Sequence, residues 1–138
     1  MKVNISMETR ETVDGETEVL QHQAFGILRK TAEGTKVSYT MDGVHHELEI
    51  HPDTESVLII RNRDRERLLR YERNVHHIVE YETPVGSMEL GFDTRDVLIR
   101  EDLEGGADRM EIKLLYRLTQ FGNPVADCQL RIAISPAQ

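Results

Sequence analysis

Apolar and polar residues alternate singly along nearly the whole chain, and turn-forming residues interrupt the alternation at hairpin spacing. The clearest row is Met110, Ile112, Leu114, Tyr116 and Leu118, each separated by one residue from the next. A period of two puts alternate side chains on one face of an extended strand, so such a row reads as a half-buried β-strand. The same pattern recurs as Val3, Ile5 and Met7, as Val37, Tyr39 and Met41, and as His46, Leu48 and Ile50. It returns in Met88, Leu90 and Phe92 and in the last segment, Ala126 to Ile134. Asp14-Gly15, Glu33-Gly34, Asp42-Gly43, Glu104 to Asp108 and Phe121 to Pro124 mark the turns. The run Ser56 to Arg61, short and β-branched, suits a strand covered on both faces.

These signals predict an all-β fold of about nine to eleven strands joined by short turns. A single antiparallel up-and-down β-barrel over residues 1–138 follows, because closure removes the exposed edges of such a sheet. A Greek-key sandwich would need longer crossovers than the tight turns provide. One segment resists the pattern. Arg63 to Asn74 is rich in helix formers, but Leu68, Leu69 and Tyr71 make only a thin apolar stripe, so a charged hairpin followed by a strand is preferred.

Composition narrows the function classes. The 138 residues carry a net charge of −8, which disfavours long-range attraction to nucleic acid and to anionic membranes. The longest apolar run, Val57 to Ile60, is too short to cross a bilayer as a helix. The N-terminus has no apolar core of a leader peptide, and one cysteine, Cys128, permits no internal disulfide, so a cytoplasmic location is expected. Cys128 lies on the row of Leu130 and Ile132 and reads as a small buried hydrophobe.

The string from Ile59 through "HHIVEYETPVGSMELGFDT" to "MEIKLLYRL" is similar to the YwiB-like family of uncharacterised bacterial proteins. The residues that carry the resemblance are Arg61, His77, Tyr81, Thr83, Pro84, Gly86, Thr94, Tyr116 and Leu118. Val85 stands where the family commonly has an aromatic residue, and Arg63 falls near where a glycine usually follows the arginine. The resemblance implies a lipocalin-like (calycin) barrel and implies no activity.

Candidate site residues come from the rows. His77, Val79 and Tyr81 share a face, Arg61 shares one with Val57 and Ile59, and Tyr39 and Tyr116 lie on apolar rows. Gln21 and Gln23 lie between Val19 and Phe25. If all these rows point inward, Arg61, His77, Tyr81, Tyr116, Tyr39 and Gln21 line the interior, with Arg61 offering a fork to a carboxylate or phosphate. The expected function is non-enzymatic binding of a small anionic or amphipathic molecule. The other reading is a protein- or RNA-interaction module on the Arg-rich stretch 61–73, which has six arginines against Asp64, Glu66 and Glu72. No cofactor is expected. Adjacent histidines on a strand diverge, so a metal would need His22, His46 and His77 from different strands, and none is expected. Glu47, Glu49, Glu80 and Glu82 are expected on solvated faces, and no catalytic motif is present.

Overall fold

The computed structural model describes residues 1–101 and 109–137, with the backbone alone at 81 and 82. The expected turn at Glu104 to Asp108 and the Tyr81 side chain lie outside the described residues.

Among the described residues, ten strands form one antiparallel sheet. In chain order they are β1 (Lys2–Val13), β2 (Glu16–Thr31), β3 (Gly34–Met41), β4 (Val44–His51) and β5 (Ser56–Arg61), then β6 (Leu69–Glu72), β7 (His76–Thr83), β8 (Gly86–Glu101), β9 (Met110–Gln120) and β10 (Asn123–Pro136). Apart from β6 and β7, strands adjacent in sequence pair with one another, and β1 also pairs with β10, from Val3↔Pro136 to Thr12↔Asp127. The termini are therefore stitched together, and the sheet's two ends are β6 and β7. The result is the expected up-and-down barrel, nearly closed, with its seam between two strands that are adjacent in sequence. No helix among the described residues is long and apolar enough to cross a membrane.

Local chemistry explains the turns. Asp14-Gly15, Asp42-Gly43 and Phe121-Gly122 each have two successive positive φ angles, 49° and 81° in the first. That geometry matches the twist of the flanking strands, and aspartate and glycine adopt it at low cost. Asn62 and Arg63 repeat it, at φ 54° and 57°, without a glycine.

The inward rows of β1, β3, β4, β9 and β10 meet in the barrel's interior. Ile5, Val37, Leu48, Ile50, Ile112, Leu114, Ile132 and Ile134 are all buried and belong to one core cluster. The axis is thus occupied by side chains, as small barrels permit. Cys128 is buried beside this core, and its thiol is pushed up to about 11 by burial and by the nearby Glu11 carboxylate. It is therefore a protonated packing group near neutral pH.

Residues 63–74 fold as a single 3-10 turn, Arg65–Arg67, followed by the short strand β6. Asp64 caps the turn by accepting from the Glu66 N–H at 3.1 Å. The turn lies against β5. Ile60, whose side chain is on the opposite face from Ile59, is 1% exposed. The expectation that Glu49 is solvated is corrected here. Its side chain is 5% exposed, with Arg65 Nη1 at 2.8 Å and His51 Nε2 at 3.6 Å. Burial raises the Glu49 pKa, but the Arg65 guanidinium and the nearby Lys36 more than offset this, leaving the carboxyl below its usual range.

Candidate functional site

The register places Tyr39 opposite His46 and His46 opposite Arg61, so these three form a row across β3, β4 and β5 on the inner face. Tyr39 and His46 stack with centroids 5.1 Å apart and planes 10° apart. The His46 Nδ1–H donates to the Val44 carbonyl at 2.9 Å. That bond places a proton on Nδ1, so that in the neutral ring Nε2 is the acceptor. Burial raises the Tyr39 hydroxyl to about 12, so it stays protonated.

Beyond this row the barrel opens. A cleft of about 490 Å³ at the barrel's rim is lined by Val44, His46, Ile59, Arg61 and Leu69, together with Asn62, Asp64 and Arg67 of the connecting segment. Arg61 is exposed and, among the described residues, makes no ion pair. The neighbouring arginines differ. Arg65 is held by Glu49, Arg67 by Asp64 at 3.4 Å, Arg70 by Glu72 at 2.8 Å, and Arg73 by Glu55 and Asp96. Only Arg61 and Arg63 of the six keep an unneutralised charge among the described residues, and Arg61 is the one that lines the cleft.

His77 and Tyr116 lie at the seam instead. The His77 Nε2–H donates to the Leu68 carbonyl at 2.9 Å, tying β7 to the residue just ahead of β6. The Tyr71 ring meets Tyr116 at 4.9 Å and Phe92 at 5.8 Å, edge-on to the latter. The Tyr116 hydroxyl is raised by burial first and by the neighbouring Cys128 second, while the Tyr71 side chain acts in the opposite direction. These aromatic groups pack against one another inside the wall. At the same place Asn74 N–H donates to the Thr94 carbonyl at 2.9 Å, and the Thr94 N–H donates to the Val75 carbonyl at 3.2 Å.

Gln21 corrects the inward assignment of its row. The register sets Gln21 opposite Glu8 and Ala24 opposite Ile5. Because Ile5 is buried in the core, the row of Ala24 points inward and that of Gln21, Gln23 and Phe25 points outward. Gln21 accordingly donates to Glu8 Oε2 at 3.3 Å, and Phe25 is 79% exposed. His22, His46 and His77 are likewise separate, on the exposed part of β2, the inner row and the seam. No cluster of three His, Cys, Asp or Glu suited to a metal occurs among the described residues.

The described geometry therefore brings together one arginine without an ion-pair partner, Arg61, a second paired with Asp64, the His46 imidazole and an apolar flank of Ile59 and Leu69. His46 was visible in the sequence by its place on the row of Leu48 and Ile50. Asn62 and Arg67 carried no such signal, because an irregular connection positions them.

A family model for a domain of unknown function, DUF1934, matches residues 5–132. The chain belongs to that family. The fold is also similar to that of a solved structure, the ywiB protein from Bacillus subtilis: the TM-score is 0.79 at 17% identity, over 99% of this chain and 92% of that one. At that identity the likeness speaks for the fold alone. No curated protein matches the chain.

Proposed function

We propose that this DUF1934 barrel is a non-enzymatic binding protein of the cytoplasm whose ligand is a small amphipathic anion held at the rim. The observation that carries the reading is Arg61, an exposed guanidinium without a carboxylate partner among the described residues, at the edge of a half-apolar cleft. A guanidinium fork pairs with a carboxylate or phosphate in two parallel hydrogen bonds. Asn62 supplies an amide beside it, His46 Nε2 accepts from a ligand hydroxyl or amine, and Ile59 and Leu69 cover an apolar portion. The side chains packed along the axis favour a site at the mouth over one deep inside the barrel.

The interaction-module reading is weaker, because carboxylates of the same chain already neutralise Arg65, Arg67, Arg70 and Arg73. A polyanion would have to displace them.

Native mass spectrometry of protein purified gently from its own host tests the proposal. The expected result is a stoichiometric acidic small molecule that disappears in Arg61→Ala while the barrel stays folded. Retention of the same molecule by Arg61→Ala would remove the anchor and with it this reading.

A further inference from the structure

The edge of β2 that faces β3 is paired only from Gly26 to Thr31. From Glu16 to Phe25 β2 has β1 on one side and, among the described residues, no strand on the other. Such an edge is a template for another strand, and proteins that keep it free protect it with charged side chains, lysine above all, with proline or with a bulge; here the acidic charges, Glu16 and Glu18, are confined to the first three residues of the free stretch. The stretch "ETEVLQHQAF" has no lysine and no proline, and its pairing with β1 runs without a register shift. Val19 and Leu20 are exposed on it, Leu20 by 49%.

We propose that this edge pairs, antiparallel and about a two-fold axis, with the same edge of a second copy of the chain. The register follows from the backbone. Two-residue turns close on Val13↔Glu16 and Thr31↔Gly34. A pair that closes such a turn exchanges both hydrogen bonds, and the exchange then alternates along the strand. Even-numbered residues of β2 therefore aim their N–H and C=O at β1, and Thr17, Val19, Gln21 and Gln23 aim theirs at the free side. Symmetric pairing must match odd with odd. A register centred on Gln21 would bring Glu16 of the partner subunit opposite Gly26, a place already held by Tyr39 of β3. Centring on Leu20 ends the added strand opposite Ala24, just short of β3.

In that register Thr17 exchanges hydrogen bonds with Gln23 of the partner subunit, and Val19 with Gln21 of the partner subunit, each twice by symmetry. On the other face Leu20 meets its own copy, flanked on both sides by Glu18 against His22 of the partner subunit. Glu16 falls opposite an alanine, so no like charges oppose one another, and a carboxylate faces an imidazole donor in each flanking pair. This self-complementarity favours a second copy over an unrelated strand. The edge is also rigid, because β1 behind it is itself backed by β10.

Sedimentation velocity at roughly 1 to 200 μM, the range where a modest interface associates, tests the dimer. The wild type is expected to shift from monomer to dimer across that range. Gln21→Pro removes an N–H that β1 does not use, so the barrel should keep its circular dichroism while dimerisation weakens about 100-fold. If Gln21→Pro unfolds, the charge pair decides: His22→Glu should weaken the dimer, and adding Glu18→Arg to it should restore it. A monomer at every concentration, a dimer indifferent to Gln21→Pro in folded protein, or no rescue by the paired charge change would each overturn the proposal.

Discussion

His77 of β7 and Leu68, the residue ahead of β6, are joined across the barrel's seam by an imidazole-to-carbonyl hydrogen bond of 2.9 Å. No ladder joins β6 to β7. The wall is completed there by this bond, by the ring of Tyr71 against Phe92 and Tyr116, and by the backbone bonds of Thr94. Removing the imidazole leaves a carbonyl to find water and loosens the shortest strand. His77→Ala is expected to cost about 1 to 2 kcal/mol. Hydrogen exchange should speed up at Leu69 to Glu72 while β9 and β10 keep their protection. Unchanged protection in β6 would mean that the rings alone hold the seam.

Thr94 sits in the same wall, fully buried, and its Oγ1 has no hydrogen-bond partner among the described residues. An unpaired buried hydroxyl is a net liability, and valine has nearly the same shape. Thr94→Val is expected to stabilise the barrel by up to about 1 kcal/mol in a urea titration. A loss of similar size would reveal a buried water or another partner on that hydroxyl.

Glu49 joins the outer face of the sheet to the 3-10 turn through Arg65. Its pKa is depressed in the folded chain. The associated stability is therefore complete above the unfolded carboxylate value and is lost as pH falls through the folded one. Glu49→Gln should be less stable than wild type at pH 7, with the gap narrowing steadily below about pH 4. Arg65 is more than half exposed, so solvent screens the pair and the gap at pH 7 is expected near 1 kcal/mol. A gap independent of pH would assign the effect to packing alone.

Arg63 holds a left-handed conformation, φ 57°, directly after Asn62 at 54°. A side chain there costs on the order of 1 kcal/mol, which glycine avoids. Arg63→Gly is expected to raise the unfolding midpoint in denaturant without altering the cleft, since Arg63 does not line it. A lower midpoint would show that Arg63 makes a contact worth more than the strain.

These relationships differ in how far the sequence disclosed them. Met110 to Leu118 could be read directly, because burial on one face and water on the other imprint a period of two. Tyr39 and Tyr116 were assigned inward for the same reason, and they are inward. Gln21 shares that inward expectation but points outward, because periodicity tells which residues share a face without telling which face is the inner one. That choice depends on the pairing of β2 with β1. Glu49 looked solvated because its cover, Arg65, arrives from a distant connection. The seam between β6 and β7 was hidden too, since strand pairing is non-local and the short β6 has little room for alternation. Arg61 was legible as an inward, row-end arginine, but its freedom from carboxylates emerges only once Arg65, Arg67, Arg70 and Arg73 are seen to have theirs.

The most direct test of the rim site is a titration with octyl phosphate, an amphipathic anion, followed by NMR of arginine Nε–H groups and methyl groups. Saturable shifts are expected at Arg61, at the Asn62 side-chain amide and at the methyls of Ile59 and Leu69, all abolished by Arg61→Ala. Saturable shifts elsewhere with Arg61 and Ile59 unmoved, or none up to millimolar ligand, would contradict it.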